Sequence, residues 1–369
     1  VLRTAFPLIK SSFVSTDNKA NYFKGHEANW TPDYDKTFFF DYKENINAAY
    51  ISINRQLSEK WGIQAGLRYE NTQLEGLTYG NPTKGDSSFK RSYDSWFPTV
   101  YVSYKLNKDH TLSINYGRRI DRPSYQDLNP FMFFLDKYTY GSGNPYLLPQ
   151  YSNNFELTHL FKGFLTTTLN YSVTTDLFTE TFNQEELPNG EKGYATIVRQ
   201  GNIGRRQSGG IAVNAQLKIT NWLTSMVYTN YNYSRYKGIL YNDPIDVAAG
   251  NVMVSINNQL KFQKGWSAEL SGWYRTKGVE GQILLEPFGA MTAGISKQVL
   301  KGKGTVKMNI RDIFYSQMVQ GDINFKSTEA HFKNWRDTRV ANITFTYRFG
   351  KPLKNGNEPR RRNAPDEQN

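Results

Sequence analysis

Cysteine is absent from the 369 residues, which excludes disulfide staples and thiolate metal sites while leaving the compartment open. Histidine is scarce. His26, His110, His159 and His331 are widely scattered, with no HExxH and no close ligand spacing, so they read as ordinary turn or loop residues. No apolar run approaches the roughly 18 residues of a helical membrane span, which excludes that kind of crossing. The opening VLRTAFPLIK has neither a start Met nor a signal-like apolar core, and predicts a mature piece or a piece cut from a longer protein. No capped, helix-period segment is present to pack against a sheet. Patterns for chemistry are equally sparse. Gly201-Asn202-Ile203-Gly204 lacks the glycine spacing of a phosphate loop, and no Ser/His/Asp arrangement stands out. The reading is therefore no enzyme, no cofactor and no metal.

Basic residues outnumber acidic ones, 45 to 33, for a formal charge of +12. They are scattered along the chain with acids between them, and the Tyr-rich segments alternate as strands without forming a stacking platform. Nucleic acid is accordingly excluded as a partner.

What the chain does have is aromatic residues, 15% of the total with 25 Tyr and 23 Phe, set in period-two alternation. Residues 338–350, TRVANITFTYRFG, place Ala341, Ile343, Phe345, Tyr347 and Phe349 on one face and Asn342, Thr344, Thr346 and Arg348 on the other. The same pattern recurs from Trp61, Leu165, Ile211, Trp266 and Val306. Short turns fall at residues 58–60, 107–109, 161–163, 219–221, 263–265 and 301–303, and each interval accommodates two strands of about 10 to 16 residues and a longer loop. Six turns, the closing strand and a first strand near residues 9–16 predict a meander of about 14 strands.

A soluble β-sandwich would also alternate. Long strands, short turns opposed to long loops, and aromatics near strand ends (Trp61, Tyr69, Trp266, Tyr274, Phe349) favour an all-β, transmembrane, antiparallel up-and-down β-barrel with its apolar face toward lipid. The predicted outer loops are residues 74–93, 180–199, 234–248, 277–289 and 315–335, which carry groups suited to a polar solute or a partner protein. Residues 119–151 concentrate Phe131, Phe133, Phe134, Tyr138 and Tyr140 among four prolines. Two readings stay open there, a loop folded on itself, favoured by rigid Asp-Arg-Pro and Gly-Asn-Pro turns, and a ligand-facing rim. Gly209-Gly210 is expected to ease a strand start, and Arg205 and Arg206 are wall or rim charges or a grip on an acidic group in the lumen.

Seven segments carry a resemblance: residues 41–50 (DYKENINAAY), 65–72 (AGLRYENT), 121–123 (DRP), 128–130 (LNP), 143–149 (GNPYLLP), 309–314 (NIRDIF) and the terminal ITFTYRFG. As a set they resemble the C-terminal barrel region of TonB-dependent outer-membrane receptors, specifically the Bacteroidota outer-membrane β-barrel family. The resemblance implies a bacterial outer-membrane location and a 22-stranded barrel filled by an N-terminal plug. It implies uptake of a solute by active transport driven through a TonB-like protein, with a non-transporting docking or secretion-associated scaffold as the alternative. On that basis residues 1–350 are a portion of the barrel, lacking the plug and about eight strands, and residues 351–369 a flexible periplasmic tail. Implied partners are outer-membrane lipid, the plug, the TonB-like protein, a surface lipoprotein, and the barrel-assembly machinery, which would read Phe345, Tyr347 and Phe349.

Overall fold

The computed structural model describes residues 8–20, 23–26, 29–32, 38–82, 85–136, 138–186, 194–325 and 328–349. Its main sheet holds sixteen strands, fourteen of which follow one another in chain order along one antiparallel path. We number these β1 (Leu8–Ala20), β2 (Phe38–Gln56), β3 (Trp61–Tyr79), β4 (Ser87–Lys105), β5 (His110–Asp121), β6 (Gln150–Phe161) and β7 (Leu165–Glu186). The path continues through β8 (Tyr194–Lys218), β9 (Leu223–Leu240), β10 (Asp243–Lys261), β11 (Trp266–Arg275), β12 (Phe288–Val299), β13 (Gly304–Arg311) and β14 (Val340–Tyr347). No pairing joins β1 to β14 among the described residues. No helix there is long and apolar enough to cross a membrane, which says nothing about strands.

All six short turns lie at one end of the sheet, each closed by residues suited to it. Ser58 Oγ accepts from the Lys60 and Trp61 amides, Asn107 Oδ1 from those of Asp109 and His110, and Thr220 Oγ1 from those of Trp222 and Leu223. The other three pair a lysine at positive φ with a following glycine at positive φ: Lys162-Gly163, Lys264-Gly265 and Lys301-Gly302. Strand β14 ends here as well, with the Arg348 amide donating to the Lys303 carbonyl.

The loop end corrects several expectations. Residues 74–93, 180–199 and 234–248 are mostly strand. β3 runs to Tyr79 and β4 starts at Ser87, β7 and β8 are 22 and 25 residues long, and β9 passes to β10 through Tyr241-Asn242 alone. Both of those residues have positive φ, 48° and 69°, as a tight hairpin requires. Polar composition misleads at these places, because the few apolar residues there, such as Leu74, Ile197, Tyr236 and Ile245, are buried against the insertions while their polar neighbours face water. Gly209-Gly210 sits well inside β8 and starts nothing. The bend lies a few residues away. The β7–β8 register slips around Asp176 (φ 52°) and Leu177, opposite Gly204 (φ 98°).

Register sorts the side chains. Trp61, Leu67 and Tyr69 of β3 share a face with Trp96 and Val100 of β4, Ile114 of β5 and Leu157 of β6, and the row runs on to Phe345 and Ile343 of β14. Apart from half-buried Tyr69, these residues are exposed. The opposite face is polar toward the turns and, toward the loops, is covered by two insertions of the chain itself.

Candidate functional site

The first insertion, residues 122–149, joins β5 to β6 and opens with the Asp-Arg-Pro segment. Ser124 caps a single helical turn, Tyr125–Leu128, through a reciprocal bond with Asp127. Leu128, Phe131 and Leu147 are buried against Phe40 and Tyr42 of β2 and Leu74 of β3, forming an apolar contact on the polar face. Residues 139–142 then add a short strand parallel to residues 196–198 of β8, bringing buried Tyr140 against Ala195 and Ile197.

Charged groups fix this insertion at both ends. Arg122 Nη2 donates to Glu70 Oε2 at 2.6 Å and to Thr72 Oγ1 at 2.9 Å, and Glu70 also pairs with Arg68 at 3.0 Å. Burial is the largest influence and works against the Arg122 charge, but Glu70 and Tyr93 together outweigh it and hold the guanidinium pKa above its ordinary value. At the far end Arg91 donates to the carbonyls of Leu147 (2.6 Å) and Pro145 (2.7 Å). Asn202 of β8 reads both backbone groups of Leu148, accepting from its amide at 2.8 Å and donating to its carbonyl at 3.1 Å. The AGLRYENT and Asp-Arg-Pro segments therefore meet in one network, while Arg91 and Asn202 hold the GNPYLLP segment. Sequence reasoning saw these segments singly. Parity along β3, which puts Arg68, Glu70, Thr72 and Leu74 on one side, was the signal that joins them.

The second insertion is a four-stranded sheet made by Gly278–Glu280, Ile283–Leu285, Val319–Phe325 and Thr328–Asn334, from the β11–β12 and β13–β14 connections. It leans on the polar face of β7–β10. Val279 packs with Leu177, Ile203, Tyr236, Leu240 and Ile245, and Gln282 Oε1 accepts from the Phe182 amide at 2.9 Å. Its base is set by Asp312 of the NIRDIF segment, whose carboxylate accepts from Thr338 Oγ1 (2.6 Å), the Ser316 amide (2.9 Å) and the Gln317 amide (3.1 Å). Burial would raise the Asp312 pKa, and these donors outweigh it, leaving the pKa below the ordinary carboxylate value.

The residues singled out from the sequence do not form one surface. Phe131 and Tyr140 are buried, 7% and 9% exposed, and serve the packing of the first insertion. Phe133 and Tyr138 are 52% and 60% exposed, and Phe134 lies on the same short strand. Arg205 is exposed, whereas Arg206 alternates to the other face, opposite buried Thr174 and Tyr236, with its Nε buried and without a hydrogen-bond partner among the described residues. Phe345, Tyr347 and Phe349 are exposed along the end of β14 and just past it. Two histidines read as unrelated meet. His110 Nδ1 and His159 Nε2 are 2.9 Å apart at the turn end of β5 and β6, as diagonal neighbours in a register that pairs His110 with Phe161 and His159 with Leu112. No group of three or more metal-ligating side chains occurs among the described residues. Residues 351–369, read as a tail, lie outside them.

A family model described as "Outer membrane protein beta-barrel family" matches residues 9–347. Among solved structures, the fold is similar to the ferric yersiniabactin uptake receptor FyuA from Yersinia pestis (TM-score 0.60, 13% identity, 92% of this chain and 50% of that one). It is also similar to the ferric-catecholate import receptor Fiu from K12 E. coli (0.56, 13%, 94% and 53%) and the siderophore receptor PiuA from Acinetobacter baumannii (0.55, 12%, 86% and 44%). The chain spans about half the length of the structures it matches. Identities this low speak for the fold alone.

Proposed function

Because this chain belongs to the outer membrane protein β-barrel family, we propose that it is the C-terminal wall of an outer-membrane receptor that takes up a solute by TonB-dependent active transport. The carrying observation is the division of the sheet into an exposed apolar face and a polar face roofed by two insertions at the loop end. On β3 the apolar face has aromatic pairs at two heights, Trp61 with Tyr104 and Tyr69 with Trp96. Their spacing is about 26 Å along the strand, or roughly 20 Å across the membrane at a 40° tilt, close to the apolar band of such barrels. Residues 1–350 are then barrel wall and 351–369 a periplasmic extension. A plug, further strands and a TonB contact come from a longer protein, and the Bacteroidota assignment rests on the seven sequence segments.

In this reading the loop-end mouth, with Phe133 and Tyr138 on one insertion and Arg206 on the wall, meets the solute. The barrel-assembly machinery reads Phe345, Tyr347 and Phe349. Deleting the gene and measuring uptake across candidate solutes, with complementation by the intact gene and by one lacking its TonB contact, tests this. Uptake lost on deletion and restored only by the intact gene supports it; uptake unchanged throughout refutes transport. The second reading, a docking or secretion-associated scaffold that includes a surface lipoprotein among its partners, is favoured by the large exposed rings of Tyr138, Tyr194 and Trp335 at the loop end.

A further inference from the structure

Lysine and arginine, scattered along the sequence, gather in space. Five of the six short turns carry one, Lys60, Lys108, Lys162, Lys264 and Lys301; Lys218 ends β8 just before the sixth, and Arg348 stands where β14 ends beside them. All of these are exposed, and none forms an ion pair among the described residues. The acidic residues within the turns are Glu59 and Asp109 alone. At the opposite end the signs are mixed and partly paired, as in Lys277–Glu286 (2.8 Å) and His331–Asp322 (2.8 Å). The turn end is therefore a rim of predominantly positive, unpaired charge.

That rim borders the foot of the apolar face. Lys162 Nζ lies 5.4 Å from the ring centre of Phe161, and Lys297 Nζ lies 4.7 Å from that of Trp266, reaching over it to donate to the Lys264 carbonyl. Both rings belong to the apolar face, at the turn end of their strands. An ammonium held against such a ring stands where hydrocarbon gives way to headgroups, its alkyl stem along the apolar surface. Turn lysines facing open solvent on the sheet axis would need no such placement.

We propose that this rim is a binding surface for anionic phospholipid headgroups of the leaflet on the turn side. The proposal rests on the apolar face lying in a membrane. Phosphodiester oxygens supply the acceptors that these cations lack, and a ring of single-lysine sites suits a shell of separate lipids better than one polyanion chain.

The test uses the full-length protein in vesicles of phosphatidylcholine with 25% phosphatidylglycerol, reading the fraction of spin-labelled lipid immobilised by the protein. Labelled phosphatidylglycerol should be retained over labelled phosphatidylcholine by roughly fivefold, the worth of one basic contact at an anionic surface. The ratio should fall toward one in 1 M salt, where screening reaches about 3 Å. Replacing these six lysines with glutamine should abolish the preference, and replacing them with arginine should keep it, which separates lost charge from lost folding. An equal ratio in the wild type, or a preference unchanged by the glutamine variant, overturns the proposal. So does loss of the preference on adding millimolar inorganic phosphate at constant ionic strength, since that marks a phosphate site and not a lipid one. Protease protection of the wall strands in the same vesicles reports membrane insertion separately, so failure of the spanning reading appears as loss of protection.

Discussion

Replacing Arg122 by alanine should loosen the first insertion without unfolding the sheet. Arg122 gives up two hydrogen bonds from one nitrogen, to Glu70 at 2.6 Å and Thr72 at 2.9 Å. The Glu70 side chain is only 10% exposed, and without Arg122 it retains Arg68, itself 46% exposed. A charge-assisted bond of this kind is worth about 1.5–3 kcal/mol, and stranding a fully buried partner can cost about 3–5 kcal/mol. With Arg68 still in place the loss belongs at the lower figure, about 2–3 kcal/mol. Amide hydrogen exchange is the assay. Local opening at that penalty should speed exchange of the Leu128 and Asn129 amides, which donate to the Ser124 and Gln126 carbonyls, by roughly 30- to 150-fold. Amides of β10, far from the insertion, should not change. Adding Glu70→Gln to Arg122→Ala should recover part of the loss by removing the stranded charge. Arg119→Ala, at an exposed neighbour, is the control. Equal exchange in Arg122→Ala and Arg119→Ala would refute the claim that this network holds the insertion.

Asp312→Asn should destabilise the base of the second insertion by about 1–3 kcal/mol at neutral pH. The folded carboxylate has a depressed pKa, so its contribution is present above the ordinary carboxylate range and lost as pH falls through the depressed value; exchange of the Ser316 and Gln317 amides in wild type and variant should converge on acidification. Gly238→Ala would set a Cβ 2.0 Å from the Ile203 carbonyl oxygen and 2.9 Å from Gly204 Cα, and should lower unfolding stability in vesicles by about 1–3 kcal/mol. Gly85→Ala meets nothing within 4 Å and should change stability by less than about 0.5 kcal/mol. Ile343→Arg, at a 75% exposed position in the middle of the apolar row, should cost about 2–4 kcal/mol in a bilayer, while Asn342→Arg on the other face should cost far less. Equal effects would show that the apolar face does not meet lipid.

The meander was legible because alternation and turn chemistry are local. Each of the six turns falls where Ser-Glu-Lys, Asn-Lys-Asp, Ile-Thr-Asn or a lysine-glycine pair punctuates period two, and pairing then follows chain order. Strand ends were not legible at the loop end. Residues 234–248 look like a loop because Ser234, Arg235, Lys237, Asp243 and Asp246 are polar, yet Arg235 and Asp246 sit across a ladder and pair at 2.6 Å. The candidate site was legible only in fragments. That Phe131 and Tyr140 are packing residues, while Phe133 and Tyr138 face outward, depends on which wall the insertion meets. The partnership of Glu70 with Arg122 spans 52 residues and exists only once β3 and β5 stand in one sheet with the insertion folded back over it. The His110–His159 contact was hidden for the same reason.

The strands are far from equal in length, and this gives the loop end a high side and a low side. β8 has 25 residues, whereas β13 and β14 have 8 each, a difference of about 55 Å of extended chain. With the loop end outward, as the proposed receptor requires, a solute arriving from outside meets the crest of β7 to β10 first, with Tyr241-Asn242 at one of its tips. Behind that crest the low side is shadowed by the sheet that leans across to it. In that orientation, approach to the mouth is open from the low side more than over the crest.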